Sequence, residues 1–256
     1  HAADKADLQY PLDVAVSPDG TIYIADRKLP GIWSYKDGAL EKFFEGSKKF
    51  RTPLNAVRCV GVAEDGTVFA GDSSTREVYK FDGEKKPVPL TDGYIGIAAD
   101  ILVEKDQVIA SDLELQRIWS FPIDGGEPKE LAVIAGVRGL ARDAEGNLLC
   151  VTTLEDPVRK VEDDGSLTVL IKDRPFDLPH HAVFKDGALF IPDNYAVTIW
   201  KAPLDGTAPT PLAKGEPLNR PVGICLEGDN FLIADPHAKD IFRITPDGKV
   251  TSIFAE

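Results

Sequence analysis

Seven charged or titratable side chains stand at matching places along the chain. Asp13, Arg58, Asp100, Arg138, His180, His181 and Arg220 each fall at or near the start of a short β-prone run. Their types permit three chemistries. In the first, Asp13, Asp100 and His181 hold a divalent cation, calcium or magnesium, which polarises a lactone or ester carbonyl and lowers the pKa of bound water. Asp13 or His180 would then be the general base. In the second, Arg58 and Arg138 grip a carboxylate or phosphate in fork geometry, with Asp13, Asp100 and His181 meeting the ligand's hydroxyls or amine. In the third, Asp13–Arg58 and Asp100–Arg138 are structural salt bridges, and a loop surface binds a protein partner.

Adjacent residues on a strand point to opposite sides, so only one of His180 and His181 can face a common site. His237 lies further out and the one other histidine is His1, so a three-histidine zinc centre is not expected. Neither a Gly-x-Ser-x-Gly elbow nor a glycine-rich phosphate loop occurs.

Residues so far apart need an architecture that gathers them, and the punctuation of the chain supplies one. Asp-Gly pairs at 37, 82, 124, 164, 205 and 247 recur every 40 to 45 residues. Asp26, Asp72, Asp112, Thr152, Asp193 and Asp235 end short apolar runs with nearly the same period. Around residues 11–45 the pattern is four β-prone runs split by turn residues such as Ser17-Pro18-Asp19-Gly20, where glycine accepts positive φ without a Cβ clash. A lone meander cannot bury both faces, and a forty-residue period of four strands is the signature of a β-propeller. Six repeats predict an all-β fold of six blades over residues 11–256, with residues 1–10 as an N-terminal arm. Leu8-Gln9-Tyr10 is expected to pair with the last blade. First strands of the blades would line the axis, which gathers the seven residues at one channel mouth.

Trp33, Trp119 and Trp200 share one slot in the third strand, and Tyr79 and Phe242 take it in two other blades. Large rings there are expected to fill the wedge between blades. The recurring aspartate is expected to pin the following turn through its N–H groups. Blade four departs in both slots, with Thr152 and Arg159.

Composition bounds the rest. The 256 residues carry 29 basic and 42 acidic side chains, a net charge of −13, so neither nucleic acid nor an anionic membrane is an expected partner. No apolar run approaches the roughly 20 residues that span a bilayer. Cys59, Cys150 and Cys225 show no Cys-x-x-Cys spacing and read as small buried residues. Against this acidity the link Gly46–Asn55 is basic, with Lys48, Lys49 and Arg51; it is a solvated connection or a rim that guides anions. His1-Ala2-Ala3-Asp4 resembles the remnant of a small-residue signal-peptidase site, which predicts a periplasmic or secreted protein. A monomer is expected.

The pattern Pro11–Asp26, echoed in Arg220–Asp235, resembles the NHL-repeat propellers, and the likeness runs over about residues 11–254. More distantly the chain is similar to the senescence-marker-protein-30/gluconolactonase group and to strictosidine synthases. Hydrolases of the gluconolactonase group hold a divalent cation in the channel by residues at the starts of first strands. The matching positions here are Asp13, Asp100, Arg138-Gly139 and His180-His181. The resemblance thus implies a propeller fold and, as the alternative to a binding module for a small polar or anionic ligand, a metal-dependent lactonase or ester hydrolase.

Overall fold

A computed structural model describes residues 7–255; the signal-like residues His1–Asp4 lie outside them. Twenty-four strands form six four-stranded antiparallel sheets, each a meander of strands consecutive in sequence. Blade one comprises β1 (Pro11–Val16), β2 (Ile22–Asp26), β3 (Gly31–Lys36) and β4 (Ala39–Glu45), and numbering continues four to a blade. The remaining first strands are β5 (Val57–Val62), β9 (Ala98–Val103), β13 (Val137–Arg142), β17 (Val183–Lys185) and β21 (Gly223–Glu227). Each packs on the next, and β21 packs on β1, so the ring closes. The six blades inferred from the repeat are therefore present. Among the described residues no helix is long and apolar enough to cross a membrane.

The core is divided as the ring is. Six buried clusters sit one at each junction between blades, such as Phe69, Ile101 and Trp119 between blades two and three. Alternating strands give each blade two apolar faces, and each face needs a neighbouring blade to cover it.

The recurring aspartate does more than pin a turn. Asp26 accepts from the N–H groups of Gln9 and Tyr10 upstream, of Lys28 in the following turn, and from the indole of Trp33 at 3.3 Å. Asp112 and Asp193 repeat the scheme with Trp119 and Trp200. Each pair is seven residues apart, and burial of the carboxylate is repaid by these charge-assisted donors. Blade four now makes sense: with Thr152 in place of the acceptor, an indole at position 159 would have lost its partner, and Arg159 reaches the Glu155 carbonyl instead.

The N-terminal segment meets expectation in its side chains. The backbone N–H groups of Gln9 and Tyr10 bond to the latch carboxylate of Asp26 in blade one, while the Gln9 side-chain oxygen accepts from Lys239 and the Tyr10 ring lies 6.1 Å from that of His237, both in blade six. Leu8 packs with Leu232, Ile241 and Ile253 of blade six, and Tyr35 donates to the Ile253 carbonyl at 2.9 Å. Ring closure thus rests on side-chain packing and, among the described residues, on long-range hydrogen bonds from Tyr35 to Ile253 and from Lys239 to Gln9.

Candidate functional site

The starts of the first strands meet around the axis in two layers one residue apart. β-Bulges create the upper layer in blades one to four: the register slips at Leu12, Arg58 and Ala99, and again at Arg138-Gly139. A bulge leaves its extra residue outside the ladder and re-aims its side chain. Here the re-aimed Leu12, Arg58, Ala99 and Arg138 line part of a cavity of about 50 Å³. Arg58, Arg138, His180 and His181 contribute to it, together with Leu12, Ile97, Ala99, Leu113 and Val222.

The lower layer holds Asp13, Asp100 and His181, all buried. One ligand-type atom from each lies within 4.8 Å of the others. His181 Nδ1 faces Asp13 Oδ1 at 2.9 Å, and Nε2 faces the Ala99 carbonyl at 2.8 Å. Both neighbours are acceptors, so both ring nitrogens donate and the side chain is an imidazolium. Burial alone would push its pKa down, but the charges of Asp13 and Asp100 outweigh burial and hold it up at about 9. Burial raises Asp100 to about 6, against the opposing pull of His181.

This layer stitches the ring. Asp13 Oδ2 accepts from Val60 N–H of blade two at 2.9 Å, while Asp100 accepts from Ile101 N–H and, in blade four, Leu140 N–H. Ser111 joins in, donating to the Arg138 carbonyl at 2.6 Å. Glycine is required where the layer closes. A Cβ on Gly223 would sit 2.7 Å from Asp13 Cα, and one on Gly139 would sit 2.6 Å from the His180 carbonyl oxygen.

A divalent cation does not fit these donors. The imidazolium has no free lone pair, and Asp13 and Asp100 already accept on both oxygens. A metal would have to displace a proton of His181 and compete with backbone donors that hold adjacent blades together.

The upper layer is the opposite in kind. The expected Asp13–Arg58 and Asp100–Arg138 bridges are not formed, because the aspartates turn to His181 and the backbone. Among the described residues neither guanidinium has an ion-pair partner. Arg58 Nε donates to Ser73 Oγ at 3.3 Å, and Arg138 Nε is buried with no hydrogen-bond partner. Burial lowers the pKa of both, and for Arg58 the like charges of Arg27 and Arg138 add to it. Burial, then Arg138 and His181, push His180 well below the ordinary histidine range, so its imidazole is neutral.

Arg220 is not part of the cavity. It lies over the Tyr195 ring at 5.0 Å and donates to the Asn194 carbonyl. Sequence reasoning missed the apolar wall residues. Leu12 stands fourteen residues before Asp26, as Arg58 and Arg138 do before Asp72 and Thr152, while Val222 stands thirteen before Asp235, as His180 does before Asp193.

Charge is spread unevenly over the two faces. On the far face, each of the twelve turns that join first to second and third to fourth strands contains an Asp or Glu. The bases there are Lys85, Lys86, Lys105 and Lys249. The loops of the mouth face mix signs: Arg27, Lys28, Lys48, Lys49, Arg51, Arg76, Lys172, Arg174, Arg220 and Lys239 stand among Asp92, Glu114, Glu155, Asp156, Asp173, Asp177 and Glu216, and Arg76 pairs with Glu114.

The fold and site define a six-bladed β-propeller with an NHL repeat, whose family model matches residues 8–28. No curated protein sequence matches the chain. Among solved structures it is similar to virginiamycin B lyase from Staphylococcus aureus, at 16% identity over 98% of this chain and 87% of that one, with a TM-score of 0.69. It is similar to a gluconolactonase from Xanthomonas campestris, at 14% identity over 89% and 83%, with a TM-score of 0.72. A chain of a nidogen/laminin complex matches at 18% identity over 87% and 89%, with a TM-score of 0.73. At these identities the likeness is one of fold, a fold that serves lyase, lactonase and protein complex alike.

Proposed function

We propose that the propeller is a monomeric binding module whose channel mouth takes a small anion between Arg58 and Arg138. One observation carries this reading: the Arg138 guanidinium is mostly buried, its Nε has no hydrogen-bond partner, and no carboxylate answers it in a chain with 42 of them. A buried unpaired cation is costly, and an anion that accepts from it recovers that cost. The second guanidinium, pressed toward the first by the fold, adds like-charge repulsion that the same anion relieves. The acidic far face would turn anions away, which leaves the mouth as their approach. Isothermal titration with small carboxylates and phosphate tests the reading. Binding should weaken by about tenfold or more in Arg138→Leu, since a hydrogen bond to a charged group contributes about 1.5–3 kcal/mol. Equal affinity in the wild type and the variant would exclude it.

The convergence of Asp13, Asp100 and His181 within 4.8 Å supports a second reading, a metal-dependent lactonase or ester hydrolase. Likeness in fold to a gluconolactonase supports it too. Against it stands the engagement of each of these atoms in a hydrogen bond within the ring. Calcium, magnesium or zinc raising the melting temperature, together with metal-dependent lactone turnover, would favour this reading over the module.

A further inference from the structure

We infer that the mouth prefers the carboxylate of an apolar organic acid, aromatic or branched, over phosphate or sulfate. This rests on the anion reading above and names its ligand class.

The size of the cavity is the first reason. At about 50 Å³ it holds a carboxylate or a few waters, so the body of any organic ligand must project outward.

The distribution of donors is the second. Polar groups enter from blades two, four and five, as Arg58, Arg138 and His180. Blades one, three and six present Leu12, Leu113 and Val222 instead. A tetrahedral oxyanion exposes acceptor oxygens on every side, and those against the apolar walls would lose water without gaining a donor. A planar carboxylate turns two oxygens to the guanidiniums and leaves its carbon substituent for the apolar walls.

The third reason lies just outside. Tyr195 is 63% exposed, so its ring is open to a neighbour. Arg220 lies against its face, and Arg220 is itself bonded to the Asn194 carbonyl. Tyr195 is also close enough to act electrostatically on Arg138. The projecting part of an acid held at Arg138 therefore meets a braced aromatic surface.

Calorimetric titration of the full chain with benzoate, its uncharged analogue benzamide, and inorganic phosphate is the test. Benzoate should bind about tenfold more tightly than phosphate, and benzamide should not bind measurably. Tyr195→Ala, a surface change that leaves the core untouched, should weaken benzoate by about threefold and leave acetate unchanged. Phosphate binding as tightly as benzoate would overturn the ligand class while the anion reading stands. Benzamide matching benzoate would overturn both, because charge would then play no part. If none of the anions binds, the anion reading itself is overturned.

Discussion

His180 and His181 are covalent neighbours with opposite fates. His181 is a fully bonded imidazolium in the lower layer, where two carboxylates and a carbonyl answer it. His180 lines the cavity as a neutral ring beside two guanidiniums that lack any carboxylate. The same step of one residue separates Asp13 from Leu12 and Asp100 from Ala99. Satisfied groups below fix the geometry of the ring, and unsatisfied groups above are left for something that is not part of the chain. Polar groups in a channel are thus not evidence of a site until their partners have been accounted for.

Mutation should separate the layers. His181→Phe leaves Asp13 and Asp100 buried and facing each other without their cation, and should cost about 3–5 kcal/mol of stability in urea denaturation. A loss under about 0.5 kcal/mol would mean that the lower layer does not hold the ring together.

The pH profile sharpens the same contrast. The folded imidazole keeps its proton up to about pH 9, whereas the unfolded one releases it near 6.5. Its contribution is therefore complete below pH 6.5 and is lost as pH rises through 9, on the order of 3 kcal/mol in all. Thermal melts from pH 7 to 10 should show the decline, and His181→Phe should flatten it. Asp100 acts at the other end: its raised pKa means the folded state gains protons first, which favours folding as pH falls through 6.

Arg138→Leu should behave in the reverse sense. It removes a buried cation without an ion-pair partner, so stability holds or rises by up to about 1 kcal/mol while affinity for benzoate falls about tenfold. A large loss of stability with unchanged binding would collapse the distinction. The smallest expected effect is that of metals. Millimolar calcium, magnesium or zinc should leave the melting temperature unchanged, whereas saturation at a hundred times Kd would add about 2.7 kcal/mol.

Much of this was legible in the chain and some was not. Asp-Gly spacing gave the blades, because turn chemistry is local and repeats with the sheet. The latch aspartates were read correctly as structural, although their bond to an indole seven residues on was visible only as a spacing. The two layers were not separable. Asp13, Cys59 and Gly139 lie thirteen residues before the latch position of their blades, whereas Asp100, His181 and Gly223 lie twelve before theirs. A bulge moves a side chain without leaving any mark on composition, so no fixed offset could tell Arg58 from its neighbour Cys59. The partners of Asp13 were likewise set across the axis, where sequence separation carries no information about distance.

The ring of acidic turns has a practical consequence. Held on a positively charged support, such as an anion-exchange resin or an amine-coated sensor chip, the molecule would lie with those turns downward. The channel would then open toward the bulk solution, already presented for capture without any engineered tag.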